Sequence, residues 1–407
     1  MKPSGGAAAP EISAQGPDKE RKCLANPGRI LLWRPDHLGD LVIYSGALRH
    51  IRKRWPAAHI TLGAHSYGRA LFAHCPYVDE FFPCEELPAP LGGAPMWPGV
   101  AVVSDIARKA WNLLPGSPYR KFHEALRADL VIFPLISPNR RDHIVMNLMP
   151  GRAKVGVCGG SNNQAAITDA ATRGYYSAQM DVSMYPKNYP EMELNRRFLS
   201  FLGIEVDADD LWPEFWTAKE DVEKAGKLMG DCGGRRILGV APGVSFPRGK
   251  QLAAEWYAKV LSGIDLSEFE VVLLGSKADV AICEELAGLV RQGAKAGGVR
   301  SLAGQTSILE LVECIRLCDV VICPDAAPLH IATALRKPVA GIMGGGHFGQ
   351  FYPWGDAETS RLVNKRMDCY GCNWHCKYET MRCIQEIAPE EATSALGGLV
   401  GKLQGKA

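Results

Sequence analysis

The sequence predicts an α/β protein made of two parallel-sheet units in tandem with a cleft between them. Three observations lead there. Short apolar runs alternate with helical patterns along the whole chain, the signature of parallel layering. A length of 407 residues is long for one core and suits two. Three polar motifs also sit where an apolar run meets a helix, beyond the carboxyl ends of strands, where such sheets bind ligands.

In the first half the strand runs are RILLW (29–33), HITLG (59–63), VDEFFP (78–83), DLVIFP (129–134) and AKVGV (153–157). Helices are expected over 41–55, 104–127 and 191–203, the last ending at a glycine. PAPLGGAPMWPG (88–99) reads as a Pro/Gly-rich loop, and 158–190 shows no clear period. A second series begins near Arg235 with strands RRILGVAP (235–242), FEVVLLGS (269–276), DVVICP (319–324) and KPVAGIM (337–343). Helical segments at 253–263, 278–292, 307–318 and 328–336 separate them.

Composition narrows the class. Hydrophobic residues at 47% and charged residues at 22% are ordinary for a globular chain. The 46 basic and 44 acidic side chains nearly cancel, which leaves no bulk electrostatic case for a nucleic-acid partner. No apolar run approaches the roughly 18 to 20 residues of a membrane span. The start lacks the apolar stretch of a secretory signal, and 1–28 is expected to be a disordered tail. Nine of the thirteen cysteines are scattered through apolar or mixed segments, as free thiols of a reducing cytoplasm often are.

The first motif is RPDHLGD (34–40). Gly39 permits a tight turn and close ligand approach. Asp40 directly precedes the expected helix, so it is either an N-cap or a general base at the cleft. The second is APGVSFPRGK (241–250), where Gly243, Ser245, Arg248 and Lys250 crowd a helix entrance and suit a diphosphate. The spacing of a Walker loop is absent. The third is PDAAPLHIATAL (324–335): Asp325 ends a strand, Pro328 suits a first helical turn, and His330 lies one turn in. Each of these two also reads as a solvated or capped loop. GGGHFGQFYPWG (344–355) follows the next strand and suits wrapping a ligand.

Two further groups stand apart. Arg140, Arg141 and His143 follow the strand at 129–134 and are candidate contacts for an acidic sugar or lipid phosphate, or an exposed basic loop. At most peripheral membrane contact is expected, through residues such as Arg108, Trp111, Tyr119, Arg120 and Lys121. Cys369, Cys372, Cys376 and Cys383 form C-x2-C-x3-C-x6-C, with the number and softness to bind zinc or iron. Reduced or disulfide-linked thiols are the alternative. A sulfur-saturated metal has no open position, so the role expected is structural, with little effect on nucleotide affinity.

Together, strand-x5-LGD-helix, APG followed by a lysine before WY, and PD-x-x-PLHIA-x-AL-x-KP-V resemble glycosyltransferase family 9, the ADP-heptose:lipopolysaccharide heptosyltransferases. The spacer SLAGQTSILELVECIRLCDVVICPD also matches, and the resemblance runs from about Arg29 to the end. It implies a GT-B fold, two Rossmann-like domains facing across a cleft. It places an acceptor-binding domain at 29–204, a connection at 205–234, a nucleotide-sugar-binding domain with the cysteines at 235–390 and a terminal helix at 391–407. It further implies inverting transfer without a catalytic metal, from an ADP-heptose-like donor to a glycan or lipid-linked acceptor. The place implied is the cytoplasm, at the inner face of the inner membrane. By position Asp40 matches the general base and Lys250 the diphosphate-facing lysine. Gly39, Gly243, Ser245, Arg248, Thr306, Asp325 and His330 fall in the donor-side motifs. Ala326 and Ala327 replace that family's hydroxyl residue and glycine, removing one phosphate donor, and a methyl there could disfavour a positive φ. A nucleotide-sugar epimerase and a non-catalytic sugar-nucleotide-binding protein are the competing readings.

Overall fold

The computed structural model describes residues 25–86, 124, 126–135, 140–159, 173–186, 188–245 and 248–405. Outside them lie most of the expected tail, the 88–99 loop, nearly all of the 104–127 helix with Arg108, Trp111, Tyr119, Arg120 and Lys121, and 160–172.

Among the described residues twelve strands form two six-stranded sheets. In the first, β1 (Arg29–Trp33), β2 (His59–Ala64), β3 (Glu80–Pro83), β4 (Ala128–Ile132), β5 (Gly151–Cys158) and β6 (Ala178–Asp181) lie in the order β3-β2-β1-β4-β5-β6. In the second, β7 (Arg236–Val240), β8 (Leu266–Leu273), β9 (Ala296–Ser301), β10 (Val320–Pro324), β11 (Val339–Met343) and β12 (Ser360–Asn364) follow β12-β11-β10-β7-β8-β9. Every pairing is parallel, for example Leu31 on Thr61 and Val321 on Val339. Strands covered on both faces need side chains that avoid water throughout, and VVICP of β10 is buried at every position.

The strand order reverses between β1 and β4 and again between β7 and β10. Each reversal opens a crevice at the carboxyl ends of two neighbouring strands, because the flanking crossovers run to opposite sides.

The helix expected over 41–55 is α1 (Leu38–Tyr44), a 3-10 turn (Ser45–Ala47) and α2 (Leu48–Arg54). A β-carbon on Gly46 would stand 2.3 Å from the Leu211 carbonyl oxygen and 2.6 Å from that of Trp212, so only glycine lets this chain pass. The remaining helices are α3 (Arg140–Leu148), α4 (Glu191–Phe201), α5 (Lys219–Met229), α6 (Ala254–Ser262), α7 (Val280–Gly293), α8 (Ile308–Leu317), α9 (Ala327–Ala334), α10 (Arg382–Gln385) and α11 (Pro389–Leu403). Helix α5 lies inside the stretch expected as a connection; it buries Ala225 and Met229 and packs on α8.

One continuous apolar core runs through both halves, including Leu41, Val42 and Tyr44 of α1 and Leu329, Ile331 and Ala332 of α9. These two helices pack directly on each other. Polar ties accompany the contact: Trp212 Nε1 donates to the Ala334 carbonyl at 2.8 Å, and the Glu191 N–H donates to that of Gln350 at 2.8 Å.

Candidate active site

Each reversal supplies one side of a single crevice. The turn after β1 carries Arg34, whose Nη1 donates at 2.9 Å to the carbonyl of Pro134, just beyond β4. The guanidinium is 1% exposed. Its Nε lies 2.5 Å from Asp36 Oδ2, its Nη2 3.5 Å from Glu191 Oε1, and its face 4.3 Å from the Tyr44 ring. One cation therefore serves Asp36, Glu191 and Asp40. Burial pushes the Asp40 carboxyl well above the ordinary range, Asp36 and Glu191 add to this, Arg34 opposes it, and Asp325 across the crevice adds again. A carboxylate so placed is a stronger base than a solvated one.

Asp40 is not an N-cap. Helix α1 starts at Leu38, with His37 in the capping position and no side-chain cap bond, so Asp40 lies in the first turn. Starting earlier brings Gly39 against α9: a β-carbon there would meet His330 Cδ2 at 2.8 Å.

On the other side, Lys250 after β7 reaches the residue that follows β10. Its Nζ donates to the Asp325 carbonyl at 2.8 Å and lies 3.5 Å from Asp325 Oδ2, with the lysine 8% exposed. His330 stacks on Trp354 (centroids 6.1 Å apart, 5° between planes), and its Nδ1 accepts from Trp354 Nε1 at 3.1 Å. Burial holds the imidazole neutral down to about 4, with Asp325 opposing and Lys250 assisting. A neutral ring that accepts at Nδ1 carries its proton at Nε2, beside Gly39.

The structure thus brings Gly39, Asp40, Lys250, Asp325 and His330 together. Ala326 is the residue before α9, with φ −153 and ψ 175, and Ala327 opens the helix. The alanines therefore meet no positive φ, and the strain considered for that substitution does not arise. Gly243 is required by Asp279: a β-carbon would come 2.3 Å from its Oδ1. Ser245 is exposed, and half-buried Thr306 precedes Ser307, the N-cap of α8. The Arg248, Arg140 and Arg141 side chains lie outside the described residues. Arg140 and Arg141 open helix α3 instead of lying in a loop. His143 in that helix is 1% exposed and bonds Tyr176 Oη through Nδ1 at 2.8 Å, which makes it a core histidine.

The loop 344–355 owes its glycines to packing: β-carbons on Gly345 and Gly346 would stand 2.1 Å from the Tyr370 ring and 2.4 Å from the Trp374 ring. Cys369, Cys372, Cys376 and Cys383 are free thiols. Among the described residues no group of three or more His, Cys, Asp or Glu side chains is placed to hold a metal ion. Glu191, in a first helical turn, carries no distinguishing pattern in the sequence, while Gln350 and Trp374 lie inside the 344–355 loop and the cysteine motif without standing out as site residues.

Two parallel sheets opposed across a crevice lined at both reversals define the GT-B class. The family model of glycosyltransferase family 9 (heptosyltransferase) matches residues 152–377, and the chain belongs to that family. It is 25% identical over 390 residues to lipooligosaccharide heptosyltransferase 2 of Haemophilus influenzae, covering 92% of this chain and 99% of that protein. To lipooligosaccharide heptosyltransferase 2 of Campylobacter jejuni it is 31% identical over 161 residues, or 39% of this chain, and that match spans about half (49%) of the relative. Among solved structures, glycosyl transferase family 9 from Veillonella parvula superposes with TM-score 0.68 (15% identity; 92% of this chain, 98% of that one). E. coli ADP-heptose lipopolysaccharide heptosyltransferase II gives 0.63 (20%; 93% and 100%). The iron-containing dodecameric glycosyltransferase TibC from enterotoxigenic E. coli gives 0.51 (13%; 93% and 77%).

Proposed function

We propose that the protein transfers a heptose from an ADP-heptose-like donor to a hydroxyl of a lipopolysaccharide-core or related glycan, with inversion at the anomeric carbon. The observation that carries this reading is that Asp40 of the first half faces Asp325, the residue that holds Lys250 in the second, where Gly39 abuts His330.

Asp40 accepts the acceptor hydroxyl proton as the oxygen bonds to the anomeric carbon, relieving positive charge on that oxygen. The bond from carbon to the diphosphate breaks on the opposite face, and ADP leaves with growing negative charge. Lys250 meets that charge, with the start of α9 adding its dipole. Base and cation belong to different sheets, so transfer needs both halves in register. His330, neutral and with its Nε2–H beside Gly39, suits a hydrogen bond to an oxygen of the donor.

No helix of the described residues is long and apolar enough to cross a membrane. Action at the inner face of the inner membrane on a lipid-linked acceptor is part of the proposal, supported by the family. A structural zinc or iron at the four cysteines is also kept, supported by TibC, an iron-containing protein of similar fold. Elemental analysis of protein purified without added metal expects about one metal per chain if it is bound; metal-free protein with titratable thiols ends that part. The main reading is tested by incubating the protein with ADP-heptose and deacylated lipopolysaccharide core. Acceptor-dependent ADP release with a new α- or β-linked heptose of inverted configuration is expected. Release without an acceptor, or epimerised donor, contradicts it.

A further inference from the structure

The segment between β12 and α11 carries the four cysteines and is built against the lysine of the donor side. Trp374 lays its indole over Lys250, with Nζ 4.7 Å from the ring centroid. The ammonium has three N–H donors. Asp325 takes one at its carbonyl and faces the ammonium again with its carboxylate, and the indole face attracts the charge without competing as a lone-pair acceptor. This leaves a donor direction for a ligand.

Trp374 is itself held on several sides. Its Nε1 donates to His347 Nδ1 at 3.2 Å, and His347 Nε2 bonds Asn373 Oδ1. Its ring occupies space that β-carbons on Gly344 and Gly346 would invade, at 2.8 and 2.4 Å. Asn373 and Trp374 have φ of +50 and +60, a region that residues other than glycine enter when their surroundings impose it. The same segment grips the backbone on both flanks of the lysine: Gln385 Nε2 donates to the carbonyls of Gly249 and Gln251, both at 2.9 Å. Met381 packs on Gly249, its Sδ 3.0 Å from where a β-carbon would be.

We propose that Trp374 is a positioning residue for Lys250, which makes the cysteine-bearing segment 366–386 a wall of the donor site. This rests on the reading of Lys250 as the diphosphate-facing cation. A lysine has a flexible four-carbon stem, so an ammonium fixed by a backbone carbonyl, a carboxylate and a ring face is already oriented when the nucleotide arrives.

The test is ADP affinity by calorimetry on the full chain, with melting temperatures taken alongside. Lys250→Ala should weaken binding. Trp374→Leu, which keeps apolar bulk but has no π face, should weaken it about fivefold to tenfold, and Trp374→Phe, which keeps the face, by no more than about twofold. Lys250→Ala combined with Trp374→Leu should bind no worse than Lys250→Ala alone, since the ring acts through the ammonium. Equal affinities for the Phe and Leu variants, or additive losses in the double variant, would overturn the proposal while leaving Lys250 in place. Unchanged affinity in Lys250→Ala would overturn this proposal and the donor reading together.

Discussion

Glu191 and His330 face the same crevice and titrate in opposite senses. The His330 value falls from 6.5 to about 4, through burial first, with Asp325 opposing and Lys250 assisting. The unfolded chain therefore binds more protons between those values, and stability is lost as pH falls through that window. The Glu191 value rises from 4.5 to about 7, through burial first, with Arg34 opposing and Asp36 assisting. There the folded chain holds the extra proton, so stability is lost as pH rises from 4.5 towards 7. Each effect is on the order of 3 kcal/mol at full extent, and the two slopes offset each other where the windows overlap. Glu191→Gln removes the second slope and relaxes the raised Asp40 carboxyl, which acts in the same direction. Its melting temperature should then climb more steeply than that of the parent between about pH 5 and 7; parallel profiles in a thermal-shift series would contradict the assignment. Asp40 predicts a second pH effect. It must be ionised to take a proton, and its carboxyl is raised above the usual 3.8. The acid limb of the kcat/KM profile should accordingly lie well above ordinary aspartate titration, and a limb near 4 would count against Asp40 as the base.

At the scale of elements, the contact that matters most is α1 against α9. Gly39→Ala would push a methyl into the His330 ring, which is stacked on Trp354 and cannot turn away freely. Turnover should fall by about tenfold or more, since small misplacements of reacting groups are costly. ADP affinity should fall less, through His330 alone, because Lys250 keeps its hold on Asp325. Steady-state kinetics beside calorimetry checks this; equal losses in both would mean that the contact only holds the fold. The elements legible in sequence were those with apolar runs: β1, β2, β3, β4, β5, β7, β8, β10 and β11. The strands β6 (AQMD), β9 (AGGVRS) and β12 (SRLVN) escaped because they are sheet edges, half covered and with no need for an unbroken apolar run. Helix α5 escaped because its buried stripe is thin, Ala225 and Met229 within KEDVEKAGKLM.

For the whole molecule, two reversals of strand order set the function, because each delivers a turn to the same crevice. Asp40, Lys250, Asp325 and His330 could be read from sequence since each lies in a short motif at a strand end. Their supports could not. Glu191 approaches Arg34 from 157 positions away, and Trp374 approaches Lys250 from beyond the last strand, so only the folded chain pairs them. The proposed function rests on pairing across halves: a base from the first half for a donor held by the second. The most direct test is Asp40→Asn, which keeps the shape and removes the base, assayed for ADP affinity and for heptose transfer on one preparation. Affinity close to that of the parent and transfer lowered roughly 100-fold or more are expected. Transfer at the parental rate, or ADP binding lost along with it, would contradict that pairing.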